Sequence, residues 1–377
     1  MDALDDALQV KNSAAYVAYG SSADADIRYL TRFRVTDPIV YIKKPGESGI
    51  IVVSTMEYTR AQRESIARVL SRNEAGFFEF LKEDPDNREK AMARMIVRLT
   101  GEGRILVPPQ FPIALARELE KHSIISIEKN VVQGLRAIKS STEMEFLRNV
   151  QRATEEAMRT AHSLIKKSII SNEVLTLDNE PLTSERVRNA IHSCLIQHGC
   201  IARDTIVSCG PDSALPHLTG KGPLHPNEPI IIDIFPQQEE SGYFADMTRT
   251  VVKGEPAGEI VEMFQAVTEA QSRAASHICP GVIGSDLQQE TIDFFKEKGY
   301  ESNSKGFMHN LGHGVGLDVH ETPVLGAGGG PLKEGNVVTV EPGLYYPQLG
   351  GVRLEDMGVV TSDGFDRFTH YEELLIL

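Results

Sequence analysis

Carboxylates and imidazoles set in apolar, strand-like sequence are the residues of this chain best suited to chemistry, and they gather in its second half. Ile230 to Val252 reads as a β-hairpin. A β-branched run, Ile230-Ile231-Ile232, leads to Asp233; Pro236 to Gly242 is turn-like; Tyr243 to Val252 is the returning strand. Symmetric pairing about that turn puts Asp233 near Asp246. Two carboxylates facing each other repel. In apolar surroundings they are stable together only if one is protonated or a cation lies between them. Three further stretches follow. His309-Asn-Leu-Gly-His313-Gly-Val-Gly-Leu-Asp318-Val-His320-Glu321 is rich in histidine and glycine. Val337-Val-Thr-Val-Glu341-Pro-Gly ends a valine run in a carboxylate. Gly351-Val-Arg353-Leu-Glu355-Asp356 sets Arg353 and Glu355 on one face, because strand side chains alternate.

A carboxylate ending a valine run is costly if left alone. Asp233, Asp246, Glu341 and Glu355, with one imidazole, therefore make a candidate ligand set. Such an oxygen-rich set suits Mn²⁺, Co²⁺, Fe²⁺ or Zn²⁺. Four carboxylates overcharge a single dication. Two cations sharing bridging carboxylates balance the charge better, which is the arrangement of a two-metal hydrolase. Singly, each stretch has a plain explanation: an Asp at a strand end caps a turn, and Glu-Pro-Gly is a common turn. Together, in one region, they are hard to explain as packing.

The elements that must position these groups follow from pattern. Residues 1 to about 135 alternate short apolar strands (Ala14–Ala18, Pro38–Ile42, Gly49–Val53, Arg104–Pro108, Ser123–Ile127) with helical stretches (Met56–Leu70, Asn87–Leu99, Phe111–His122), which predicts an α/β domain with a mixed or parallel sheet. This half holds no glycine-rich phosphate loop and no ligand cluster, and its one histidine, His122, reads as a surface residue. Ser140-x-x-Glu143 is a capping box opening a long helix to Lys167. Thr183–Gln197, Glu259–His277 and Ser285–Lys298 are further helices, and strands and glycine turns fill about Gly306 to Leu377. Helices followed by antiparallel strands predict an α+β domain, its helices backing a curved sheet. The expected boundaries are 1–135 and 136–377. His192, Cys194, His198 and Cys200 cluster in sequence, but their spacing fits no zinc ribbon or finger.

Composition narrows the class. The 377 residues are 41% hydrophobic and 24% charged, a globular balance. A net charge of -14 argues against nucleic acid or an anionic membrane as main partner. The start, MDALDDALQV, lacks the pattern of a signal peptide. No run of about 18 apolar residues predicts a membrane span. Four cysteines without CxxC spacing read as ordinary thiols of a reduced, cytoplasmic protein.

The residues also resemble a known family. PHLTG, Asp233 with DMTRT, GHGVGLDVHE, VEPGLYY and GVRLED are similar to the motifs of the pita-bread metallopeptidases, in the Xaa-Pro aminopeptidase and Xaa-Pro dipeptidase (prolidase) branch. Asp26-Ile-Arg-Tyr-Leu-Thr-Arg-Phe33 resembles the creatinase-type N-terminal domain that precedes it. The resemblance implies that Asp233 chelates one metal, Asp246 and Glu355 bridge the pair, and His313 and Glu341 complete the other. It implies a bridging hydroxide as nucleophile and Glu341 as proton shuttle. His217 and His320 would face the substrate and steady its carbonyl oxygen or proline end. Arg353 would orient Glu355 or hold the substrate. It further implies two divalent ions with Mn²⁺ first among them, a peptide substrate with proline at the second position, and a homodimer.

His309 and Asp318 are weaker candidates, His225 reads as surface, and Tyr243 and Thr248 either line the pocket or support Asp246. The Asp233-to-Asp246 interval, 13 residues, is slightly longer than the family's common form. Rival readings are a methionine aminopeptidase-like enzyme, which typically lacks the N-terminal domain and the arginine of GVRLED, a creatinase-like amidinohydrolase, and a non-catalytic protein of the same fold. The last two predict lost ligand positions, and none is lost here. Aminopeptidase and dipeptidase activity are both open at this point.

Overall fold

The structure, a computed structural model, describes residues 3–377. The chain divides into a unit ending at Arg136 and a second running from Ala137 to Leu377.

The first unit is built on a mixed six-stranded sheet. In spatial order its strands are Arg68–Ser71, Ile50–Val53, Ile39–Lys43, Ala15–Gly20, Arg104–Val107 and Ile124–Ile127. Ala15–Gly20, Ile39–Lys43 and Ile50–Val53 pair antiparallel in succession, and the other pairings are parallel. Strand alternation divides the core into two faces. Ala15 and Val17 meet Phe77, Met92, Ile96 and Leu119 on one face; Tyr16 and Ala18 meet Leu4, Leu8, Ile27 and Phe33 on the other. Helices therefore cover both sides. One sequence expectation fails here. The helix expected over Met56–Leu70 stops at Glu64, and Arg68–Ser71 is a parallel edge strand. Ser65 takes extended backbone, and its hydroxyl donates to Thr31 O, so tertiary contacts override a helix-compatible composition.

The second unit is α+β. A three-stranded antiparallel sheet (Ile206–Cys209, Ile230–Ile234, Met247–Val251) neighbours a five-stranded one ordered Glu321–Leu325, Gly312–Gly314, Val337–Val340, Asp356–Thr361, Gly364–Arg367. Gly343–Tyr346 and Gly350–Arg353 form a hairpin of their own. Glu355 N donates to Thr248 O at 3.0 Å, and Thr250 Oγ1 donates to Arg353 O at 2.9 Å; these bonds stitch the sheets together. The long helix Ser141–Lys167 begins at the expected capping box and buries Leu147, Val150, Ala153, Ala157, Ala161 and Ile165. Gly258–His277 and Gly284–Glu297 lay Met263, Val267, Leu287 and Phe294 against Val338, Val340 and Val360 of the five-stranded sheet. The opposite side of that sheet is left for the polar residues.

Register supplies a second correction. Asp233 pairs with Thr248, not Asp246. The hairpin turns at Glu240 and Ser241, because Gln237 bridges Phe244 and Gln238 N donates to Tyr243 O at 2.9 Å. Asp246 thus lies just before its strand, two residues from the partner of Asp233, and the two acids are diagonal neighbours on one face.

Candidate active site

The predicted ligand residues sit in strands or beside their ends. Asp233 lies inside Ile230–Ile234, whose neighbours are all buried. His313 occupies Gly312–Gly314, at a register shift that re-aims its ring. Glu341 follows Val337–Val340, and Glu355 joins Gly350–Arg353 to Asp356–Thr361.

The structure brings them together. One carboxylate oxygen each of Asp246 and Glu355 and one imidazole nitrogen of His313 lie within 4.8 Å of one another. His313 Nε2 is 3.3 Å from Glu341 Oε1 and 3.7 Å from Asp246 Oδ2. Asp233 is 8% exposed and Glu355 2%. Three carboxylate oxygens there, Asp233 Oδ1, Asp246 Oδ1 and Glu355 Oε1, are buried without a hydrogen-bond partner. Buried polar atoms are rarely left so, and three in one pocket call for a common partner.

Protonation equilibria carry the same message. Burial, then the charges of Glu355, Asp233 and Glu341, push the Asp246 carboxyl well above its usual range. Burial and then Glu341 and Asp233 do the same to Glu355. Burial also raises Asp233, although Arg353 opposes it. Burial would raise Glu341 too, but the hydrogen bond and charge of His313 outweigh it and bring Glu341 down to about 2. His313 moves up: burial lowers it, and Glu341 more than reverses that. His313 Nδ1 meets Gly314 O at 3.1 Å; a carbonyl only accepts, so this nitrogen carries the proton. In the neutral ring the Nε2 lone pair then faces carboxylate oxygens. That geometry requires a second proton or a cation, and a carbonyl holding Nδ1 is the usual arrangement of a metal-ligating imidazole. The donor set, with its orphaned oxygens, fits divalent metal ions.

A second layer fixes the first. Arg353 Nη2 donates to Asp233 Oδ2 at 2.6 Å, its Nε to Thr248 Oγ1 at 3.1 Å and its Nη1 to Tyr345 O–H at 2.9 Å. Thr248 Oγ1 donates to Glu355 Oε2 at 2.9 Å. Arg353 therefore holds Asp233 directly and reaches Glu355 through Thr248. Tyr345, to which the sequence alone gave no role, lies 2.9 Å from His309 Nε2. With His309 Nδ1 donating to Asn310 O at 2.8 Å, the tyrosine donates to Nε2 and accepts from Arg353. The available signal was its place four residues beyond Glu341. Arg249 also escaped notice. It is 1% exposed and donates to the carbonyls of Thr248 and Glu355 at 2.9 and 2.8 Å, bracing the strand under Glu355.

The remaining candidates separate. The His313 and His320 rings lie 4.2 Å apart, edge to face. His217 stands exposed after the short 3-10 turn Gly210–Ala214. Asp318 is exposed, and His225 is an exposed residue whose Nδ1 meets Glu173 O. Tyr243 O–H donates to Glu143 Oε1 at 2.6 Å, on the long helix, away from Asp246. His192 contacts Thr205 and His198 contacts Glu156, so that Cys/His cluster does not converge. The four cysteines are free thiols.

Carboxylates and one imidazole converge from antiparallel strands backed by helices, a donor set suited to divalent metal ions. The chain belongs to metallopeptidase family M24, which it matches over residues 145–362, and residues 1–138 match the creatinase/prolidase N-terminal domain. It is 30% identical over 341 residues to an Xaa-Pro dipeptidase of Pyrococcus horikoshii, covering 89% of this chain and 88% of that one. Among solved structures, the prolidase of P. horikoshii superposes with a TM-score of 0.81 at 26% identity, covering 98% of each chain. The prolidase of Pyrococcus furiosus gives 0.81 at 25% identity, covering 98% of this chain and 99% of that one. No helix among the described residues is long and apolar enough to cross a membrane.

Proposed function

We propose that this chain is a metal-dependent exopeptidase that hydrolyses the bond preceding a proline in second position, with Xaa-Pro dipeptides as its main substrates. The observation that carries the reading is the convergence of Asp233, Asp246, Glu341, Glu355 and His313 with three carboxylate oxygens unpartnered. Likeness to an Xaa-Pro dipeptidase over nearly the whole chain supports the substrate class.

In this reading the five residues would hold two divalent ions, with Mn²⁺ the expected occupant. Such ions would acidify a water molecule and polarise the scissile carbonyl. The chain's own groups do the rest. Glu341 accepts a proton from the attacking water at a carboxylate oxygen and passes it to the departing prolyl nitrogen. His217 and His320 donate hydrogen bonds to the substrate's carbonyl oxygen or its proline carboxylate. Arg353 favours the ionised form of Asp233 and holds it in place through the 2.6 Å bond. A homodimer in the cytoplasm completes the proposal, by likeness to the family.

The test is hydrolysis by Mn²⁺-loaded protein of alanyl-proline beside an Ala-Pro-Yaa tripeptide. Cleavage of the dipeptide is expected to dominate. Dominant tripeptide cleavage would reassign the enzyme as an aminopeptidase, and hydrolysis of neither would refute the reading.

A further inference from the structure

A buried ion pair lies beside the site without belonging to it. Lys139 Nζ donates to Glu321 Oε1 at 2.5 Å, and the two side chains are 1% and 5% exposed. Taking both charges out of water is costly, so a pair this deep is weak evidence for stability and better evidence for a fixed geometry.

Both ends of the pair are anchored. Lys139 N donates to Gly335 O at 2.9 Å, Asn336 Nδ2 donates to Ala137 O at 2.9 Å, and Ile138 bridges Asn336. The lysine is thereby fixed to the turn that enters Val337–Val340, the strand leading to Glu341. Glu321 opens Glu321–Leu325 and pairs with Gly314, beside the register shift at His313. Its carboxylate lies against Gly316, where an added Cβ would come within 2.3 Å of Oε1. Gly316 accepts from Phe244 N at 2.8 Å and donates to Asp318 O at 3.0 Å. The loop from His313 to Glu321 is thus tied at Gly314, Gly316 and Glu321, and His320 is the residue just before the ion pair.

We propose that Lys139 is a positioning residue: acting through Glu321, it fixes the backbone that presents His320 to the substrate. The proposal rests on His320 being substrate-facing in the function given above. A lysine here has no access to the reacting atoms; its effect is transmitted through one carboxylate and one peptide unit.

The experiment compares Lys139→Met, Lys139→Arg, Glu321→Gln, His320→Ala and the double variant Lys139→Met/His320→Ala on alanyl-proline with Mn²⁺. Lys139→Met should lower kcat roughly tenfold to hundredfold, the scale of a small misplacement of a catalytic group, with bound Mn²⁺ unchanged. Lys139→Arg should recover most of the loss. In the His320→Ala background, Lys139→Met should cost no more than about threefold, because both changes remove the same contribution. Glu321→Gln keeps the volume and carries the same expectation should Lys139→Met not fold. Amide exchange of the metal-free protein gives an independent readout: Phe244 and Gly316 should exchange faster in the variants while Ile230–Ile234 keeps its wild-type rates. Full activity in a folded variant, a fully additive loss in the His320→Ala background, or unchanged exchange at Phe244 and Gly316 would each overturn the proposal. If the wild-type protein leaves alanyl-proline intact, the function assignment fails, and the exchange rates still decide whether Lys139 holds this loop.

Discussion

Glu355 and Asp356 are adjacent in the chain, 2% and 3% exposed, and opposite in circumstance. Strand alternation sends them to different faces. Asp356 is matched: Arg249 Nη2 donates to Oδ1 at 2.8 Å and Arg367 Nη1 to Oδ2 at 3.1 Å. Glu355 has Thr248 on one oxygen and nothing on the other, and burial with neighbouring acids lifts its pKa well above normal. A protein that can satisfy one buried carboxylate so fully has left the next one open. The open one faces three more acids and an imidazole. We take that contrast as the mark separating a carboxylate kept for folding from one kept for chemistry.

The comparison breaks most sharply by deleting each acid in turn. Asp246→Ala or Glu355→Ala should abolish metal pairing and lower kcat on the order of 10³-fold or more. The metal-free stability of either variant should hold or rise, since a repelling charge is gone; a steep fall in the metal-free unfolding midpoint would contradict the contrast. Asp356→Ala should behave in the opposite way. It leaves the Arg249 guanidinium buried and uncompensated, at a cost of about 3–5 kcal/mol in denaturant unfolding.

A buried base extends the contrast beyond the site. His162 has Tyr371 O–H 3.0 Å from Nδ1 and an unpartnered Nε2. Burial, and then the charge of Arg249, push its pKa down from 6.5 to about 4. Above pH 6.5 the ring is neutral folded or unfolded and adds no slope. Between there and about 4 the unfolded chain takes up a proton that the native chain refuses, so stability falls as pH falls. The total approaches roughly 3 kcal/mol. Urea unfolding at pH 7.5 and 4.5 should show this contribution in the wild type and lose it in His162→Leu. The smallest effect expected is that of Tyr345→Phe. Removing one hydroxyl from the Arg353–Tyr345–His309 chain should lower kcat/KM about tenfold and leave the bound metal in place.

Much of this was legible in the sequence, and the residues show why. Residue type and apolar context pointed to Asp233 and Glu341, because a carboxylate at a β-branched run needs a reason, while hairpin pairing and strand alternation pointed to Asp246 and Glu355. The capping box at Ser140 and Glu143 was local and therefore readable. Register was not. Asp233 pairs with Thr248 because the hairpin turns at Glu240, a choice made by backbone bonds within the turn. The strand at Arg68–Ser71 was hidden because its pairing partner is Ile50–Val53, a tertiary fact. Tyr345, Arg249 and Lys139 were missed for one shared reason. Their meaning lies in partners that the fold brings into contact from other parts of the chain, as with Arg249 and Asp356, 107 positions apart, or Lys139 and Glu321, 182 apart. Arg353 shows the halfway case: its presence near Glu355 was readable, but its direct bond to Asp233 was not.

The central claim is that the open carboxylates, and not the matched one, hold divalent cations. Equilibrium binding of Mn²⁺ to wild-type, Glu355→Ala and folded Asp356→Asn protein, with the bound metal counted by elemental analysis, tests it most directly. The account predicts two ions per chain in the wild type and in Asp356→Asn, and fewer than two in Glu355→Ala. A wild-type protein that binds no divalent ion, or a Glu355→Ala variant that binds two as the wild type does, would contradict it.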